Sequence, residues 1–215
     1  MKRKILILTE KNDWFYTYAR ELSKKLLQLG HQVKISDNHL KIKKKYNVVF
    51  MLSYYRIVDK KFLRLSDHNI VIHESDLPKG KGWAPLFWQV IKGKNKIIFT
   101  VFDANERIDD GDYYFKENLQ LKGHELYSEI REMQAEKRIK CCMKLINNLD
   151  KLKAKKQIGT SSYYRKRTKK DSKLNIKKSI MSQFNLLRSV DNAKFPAFFH
   201  YKGKKFILKI YKEEK

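Results

Sequence analysis

Four short apolar runs limit what this chain can fold into. Lys4 to Thr9 (KILILT), Tyr46 to Leu52 (YNVVFML), Asn69 to His73 (NIVIH) and Lys96 to Phe102 (KIIFTVF) are rich in β-branched residues and too short for helices. Runs of that kind are strands covered on both faces, as in parallel sheets flanked by helices. Between them the period changes. Trp14, Tyr18, Leu22 and Leu26 recur four apart behind Asn12 and Asp13, either of which can cap a helix, and Gly30 closes it. A weaker strand spans Gln32 to Ile35, helical signals run from Pro85 to Ile91, and Tyr113 to Leu119 is strand-like. The expected class is α/β, a Rossmann-like parallel sheet with helices on its faces.

Residues 1–152 form the expected core, ending in a long helical stretch from about Gly123 to Leu152. Residues 153–175 are polar, basic and aperiodic, and are expected to lie over the surface as a linker. Residues 176–215 are expected to form one helix, from Ile176 to Val190, and a β-hairpin in which Pro196 to Tyr201 and Lys205 to Ile210 flank Lys202-Gly203-Lys204. The apolar hairpin leaves an edge strand wanting cover, which predicts a homodimer. No apolar run is long enough for a bilayer, and Met1-Lys2-Arg3-Lys4 leads directly into a strand, so the expectation is a cytoplasmic protein with no membrane partner. Cys141 and Cys142, adjacent in a helical pattern, read as reduced and inert. The net charge of +26 invites a nucleic-acid reading. The excess, however, is lysine spread along the chain, with denser runs at Lys41 to Lys45, Lys151 to Lys156 and Arg165 to Lys170, and a lysine-rich proteome gives the same picture.

After the first strand stands Thr9-Glu10-Lys11-Asn12-Asp13 in place of a glycine-rich fingerprint, which argues against a dinucleotide-binding dehydrogenase. No Cys or His spacing suggests zinc, so no metal is expected. The chemistry-bearing residues concentrate in two loops. His73 ends a predicted central strand, where open α/β sheets place their ligands. Asp103, Glu106, Asp109, Asp110 and Asp112 surround Gly111 after the next strand. A histidine with a carboxylate in reach is apparatus for proton transfer in acyl transfer. From spacing alone, a capped strand end and a solvated acidic loop explain the same residues equally well.

The run His73-Glu74-Ser75-Asp76-Leu77-Pro78, continued by Gly82 and Ala84-Pro85, resembles the hallmark loop of the formyltetrahydrofolate-dependent formyltransferases. Ile108-Asp109-Asp110-Gly111-Asp112 is similar to that family's second signature, an apolar residue followed by Asp-x-Gly-Asp. The resemblance covers the chain to about residue 150. The RKRTKKDSKLN segment from Arg165 to Asn175 and the terminal hairpin look like the tails of short bacterial sugar N-formyltransferases that serve surface glycans.

The resemblance implies 10-formyltetrahydrofolate as co-substrate and a nucleotide-linked amino sugar as acceptor. It makes His73 the group that stabilises charge on the formyl oxygen or assists proton transfer, and Asp109 the carboxylate that positions it and takes the proton lost by the amine. The family's Asn two residues before the histidine is Val71 here. Asn69 lies on the same strand face about 7 Å further back and is the nearest replacement; Ser75, Asn105 or a backbone N–H are the others. Tyr54, Tyr55, Arg56 and Ile57 resemble the segment against the pterin, with Asp103 to Ile108 as the opposite wall. Ser75, Lys79, Lys81 and Trp83 are the expected acceptor contacts, the two lysines on its diphosphate, while Trp88 packs. Other readings are a methionyl-tRNA formyltransferase, disfavoured by the small predicted tail; a glycinamide formyltransferase, disfavoured by the closing Gly-Asp; and a non-catalytic basic module that binds RNA.

Overall fold

The computed structural model describes residues 1–213. In chain order the elements are β1 (Lys4–Leu8), α1 (Tyr16–Gln28), β2 (Gln32–Ser36), β3 (Tyr46–Met51), α2 (Lys60–Leu63), β4 (Ser66–His73), β5 (Lys81–Gly82) and α3 (Pro85–Ile91). They continue with β6 (Lys96–Asp103), β7 (Tyr113–Gln120), α4 (Tyr127–Asn148), β8 (Tyr163–Tyr164), α5 (Phe184–Leu187), β9 (Ala197–Tyr201) and β10 (Lys204–Leu208). Six strands form one sheet in the order β2-β1-β3-β4-β6-β7. The first four are parallel, as the apolar runs imply, and β6 and β7 add on antiparallel.

Alternate strand residues feed two cores. Ile5, Ile7, Val48, Phe50, Ile70 and Ile72 face α1, α3 and α4. Leu6, Leu8, Val49, Met51 and the half-buried Val71 face the other way, under Ile42 and Phe62. Cys141 and Cys142 lie in the first core as free thiols, and burial raises both thiol pKa values, that of Cys141 to about 12. Because side chains alternate along a strand, His73 points to the second face with Val71 and Asn69.

Helix α4 crosses the whole first face. Near its middle Arg138 bonds Ser53 and Glu74, which follow the carboxyl ends of β3 and β4. Near its end Ile146 O accepts from Arg3, at the amino end of β1. The helix therefore starts above the carboxyl edge of the sheet.

Two features differ from the sequence reading. Ile176 to Val190 holds only a 3-10 turn at Met181–Gln183 and the single turn of α5, because Ile176, Ile180 and Met181 are exposed and find no packing surface. The basic stretch 153–175 is built into the site described next.

Candidate active site

Strand β6 runs against β4, with His73 opposite Thr100 and Ile70 opposite Asp103. The chain therefore leaves β6 three residues up β4 from His73, about 10 Å away, and the loop after Asp103 must double back. It does so through Asp109, whose φ of 51° is left-handed. Gly111 permits the tight return: a Cβ there would sit 1.5 Å from the Asp103 carbonyl oxygen. The outcome is that Asp109 Oδ2 stands 3.7 Å from His73 Nδ1, both side chains largely buried.

The Gly80-Lys81-Gly82 turn fixes each partner. The Gly80 carbonyl lies 2.8 Å from His73 Nε2 and accepts its N–H, which leaves Nδ1 facing Asp109. The Gly82 N–H donates to Asp109 Oδ2 at 2.8 Å. Gly82 has a φ of 93°, and a Cβ on it would meet the Tyr164 carbonyl oxygen at 2.5 Å. That contact exists because β5 pairs with β8, from the stretch expected to be a linker. The same stretch supplies Gln157, whose Nε2 donates to Asp109 O at 3.1 Å and Gly111 O at 2.8 Å. Ser162 Oγ accepts from Gly80 N at 2.9 Å. One strap thus holds both loops.

Behind the histidine, Glu74 is buried and accepts from Arg138 Nε at 2.6 Å. Burial alone would raise the Glu74 pKa, but the Arg138 charge and hydrogen bond overcome this and hold it below the ordinary carboxylate value. Arg138 also donates to Ser53 Oγ, so the pair ties α4 to the loops after β3 and β4.

Asn69 is no part of this cleft. Its amide donates to Leu63 O at 2.9 Å and its oxygen accepts from Ser66 Oγ at 2.7 Å, so both ends are committed to holding α2 and the start of β4. Asn105 is spent inside its own loop, donating to Asp110 O and accepting from Arg107 N. Ser75 differs: its hydroxyl is buried and has no partner among the described residues. Lys81 cannot meet a diphosphate, being 2% exposed and ion-paired with Asp110. Its hydrogen bond and charge hold the Asp110 carboxyl below its usual range. Lys79 is exposed on the same turn.

The expected pterin-side residues divide between two places. Tyr54 sits on the second face, its hydroxyl 2.6 Å from His39 Nδ1. Asp103 bonds Asn69 N and the Tyr114 hydroxyl, Ile57 and Ile108 are exposed, and Arg56 reaches Glu10 at 3.4 Å. Tyr55 lies toward α1, stacked on Trp83 at 5.7 Å between ring centres, with its hydroxyl donating to Asp13. Burial and the Asp13 carboxylate push the Tyr55 pKa to about 12. Trp88 packs as expected, stacked on Tyr164 and donating to Arg165 O. A depression of about 430 Å³ opens between Lys60, Leu63 and Arg64 and the loop from Asn105 to Arg107. Among the described residues there is no metal-ligating cluster, and no helix is long and apolar enough to cross a membrane.

Residues 11–146 match the formyl transferase family. This chain belongs to that family. A methionyl-tRNA formyltransferase from Rickettsia prowazekii is 28% identical over 199 residues, covering 87% of this chain and 65% of the relative. The chain therefore spans under two thirds of that family member's length. Among solved structures, a methionyl-tRNA formyltransferase from Clostridium thermocellum superposes with a TM-score of 0.80 at 21% identity, over 98% of this chain and 93% of that one. HypX from Aquifex aeolicus, in complex with tetrahydrofolic acid, gives 0.80 at 16% identity, over 98% of this chain and 38% of HypX. A 4-N formyltransferase from Francisella tularensis gives 0.71 at 19% identity, over 99% of both chains. The mostly parallel α/β sheet is thus the fold of the family.

Proposed function

We propose that this chain transfers a formyl group from 10-formyltetrahydrofolate to the primary amine of a nucleotide-linked amino sugar. The observation that supports this most is the facing pair of His73 Nδ1 and Asp109 Oδ2 at the carboxyl edge of β4, each anchored by backbone of one glycine turn.

In the reaction the amine nitrogen forms a bond to the formyl carbon while the carbonyl π pair moves onto oxygen. The tetrahedral oxyanion then collapses, the bond from carbon to the folate N10 breaks, and that nitrogen takes up a proton. The amine attacks only when neutral, and Asp109 accepts the proton it loses on addition. With Nε2–H committed to Gly80 O, only Nδ1 of His73 can serve the reacting atoms, and as imidazolium its N–H donates to the oxyanion. A preorganised donor of this kind is worth roughly 3 to 4 kcal/mol. Val71 brings no polar group to that oxygen; Asn69 and Asn105 are committed elsewhere, which leaves the buried Ser75 hydroxyl as the side-chain donor for it.

The folate fits the second face, between Tyr54 and the depression walled by Lys60, Leu63, Arg64 and the Asn105 to Arg107 loop. The tetrahydrofolic acid in the HypX complex, on the same fold, supports a folate donor. The acceptor then enters from the α1 side, past Tyr55 and Trp83.

A methionyl-tRNA acceptor is the second reading, favoured by the names of the sequence relatives. Incubating the protein with labelled formyl-folate and, in parallel, a panel of amino-sugar nucleotides and methionyl-tRNA decides between them. Label on an amino sugar is the expected result. Label on the tRNA alone replaces the acceptor, and label on neither overturns the reading.

A further inference from the structure

Arg131 on α4 and Arg167 on the strap share one neighbourhood, with their guanidinium carbons 4.5 Å and 5.8 Å from the centre of the Phe87 ring. Arg131 also covers Trp14 at 4.3 Å and Tyr127 at 5.1 Å. Both arginines are half-buried, yet every side-chain hydrogen bond they make is to a neutral group. Arg131 donates to Tyr127 Oη and Gln134 Oε1, and Arg167 donates to Ser189 O. Neither has a carboxylate at ion-pair distance among the described residues. The acids nearby are taken: Asp171 is forked by Arg165, and Asp13 accepts from the Tyr55 hydroxyl and Phe15 N.

Partly desolvated like charges held together without a counter-ion are unfavourable. An exposed lysine tolerates such a neighbour by moving into solvent, which an arginine clamped between aromatic rings cannot do. The arrangement therefore awaits an anion, and two planar forks on one ring suit the divided charge of a diphosphate.

Its position matches. Arg138, seven residues along α4 from Arg131, bonds Glu74, the neighbour of His73. Seven residues are about 10 Å of helix, and α4 starts above the carboxyl edge, so Arg131 overhangs the cleft on the side away from the folate depression. That interval leaves room for one sugar ring between phosphate and amine.

We propose that Arg131 and Arg167 form the anion subsite that holds the diphosphate of the acceptor. This deepens the reading of the acceptor given above and rests on it for the identity of the ligand. Binding to the subsite itself needs neither folate nor turnover.

The test is calorimetric titration of the full chain with inorganic pyrophosphate, uridine diphosphate and a short single-stranded RNA ending in CCA. Arg131→Gln and Arg167→Gln should each weaken pyrophosphate and uridine diphosphate about tenfold, as expected for a charged hydrogen-bonding group. Arg20→Gln, an exposed arginine on α1, should change neither by more than about twofold. Arg131→Lys and Arg167→Lys keep the charge without the fork, and guard against misfolding; they should give intermediate losses. Diphosphate affinity unchanged in both glutamine variants overturns the proposal. RNA bound more tightly than uridine diphosphate, with the same dependence on the two arginines, overturns the commitment to a small acceptor. Absence of formyl transfer beside intact arginine-dependent binding would count against the catalytic reading alone.

Discussion

Gln157 is the residue whose removal reports most on how the cleft is held. Asp109 keeps a left-handed backbone, which costs a non-glycine residue roughly 1 to 2 kcal/mol. The two hydrogen bonds from Gln157 Nε2 to Asp109 O and Gly111 O contribute about 1 kcal/mol each, so they offset that cost almost completely. Gln157→Leu removes both while keeping the bulk of the side chain. Stability should fall by about 2 kcal/mol, or roughly 4 to 8 °C in Tm for a chain of this size. If the lost energy lets Asp109 leave its position, kcat falls by up to roughly 30-fold, and KM for either substrate should change little if the amide acts only through the Asp109 loop. Gln157→Glu sets a carboxylate against two carbonyl oxygens and should be worse than leucine on both counts. Steady-state formyl transfer and thermal unfolding of the three proteins make the assay. A leucine variant that loses stability but keeps its kcat would refute the positioning role and leave the strap as packing.

Three further outcomes follow from the geometry. Gly82→Ala forces a Cβ against the Tyr164 carbonyl oxygen and must part β5 from β8; activity should drop at least 100-fold, roughly 3 kcal/mol, with near-normal activity as the contrary result. Glu74→Gln should cost about 3 to 5 kcal/mol at pH 7 by leaving Arg138 buried and unpaired. Because the Glu74 carboxyl titrates below its unfolded value of about 4.5, the pair's contribution is present above that pH and lost as pH falls through the lower folded value. Denaturant midpoints of wild type and variant should therefore converge as pH falls below the ordinary carboxylate value, and a constant gap would contradict the assignment. Asn69→Ala should lower stability by about 1 to 2 kcal/mol while leaving formyl transfer within a few-fold; a 100-fold loss of rate would return Asn69 to the reaction.

Much of this was legible in the sequence where one short-range rule governs. The apolar runs read as strands because two-sided burial demands continuous hydrophobicity, and all four stand close to where the residues put them. The loop motifs that carry His73 and Asp109 have glycines forced by backbone approach, as the 1.5 Å contact at Gly111 illustrates, and they bring the two side chains within 3.7 Å. Strand direction was not legible: nothing local in KIIFTVF distinguishes a parallel neighbour of β4 from an antiparallel one. The two loops still meet, but only because Asp109 turns left-handed and doubles back.

What depends on distant partners was hidden. Lys81 looks like a solvated loop lysine until Asp110 arrives from another loop to pair with it. Asn69 looks available until Leu63 and Ser66 are seen to occupy its amide. The strap has the composition of a linker, since its work is done by backbone pairing and one glutamine amide, neither of which leaves a periodic trace. A polar Gln157 within a basic aperiodic stretch was the only signal, and it is too weak to read alone. The expected helix from Ile176 to Val190 failed because Ile180 and Met181 find no surface to pack against, and helices in proteins owe most of their stability to such packing.

The central claim is that His73 and Asp109 act on the same reacting carbon as one unit. Single-turnover formyl transfer by His73→Asn, Asp109→Asn and the double variant, using the acceptor that the wild type formylates, measures it directly. Each single change should lower the rate by about 10² to 10⁴, and the double should be hardly slower than the worse single, as for groups that work together. Losses that multiply, with the double variant slowed by the product of the two single effects, would mean the imidazole and the carboxylate act independently, and the shared-cleft mechanism would be wrong.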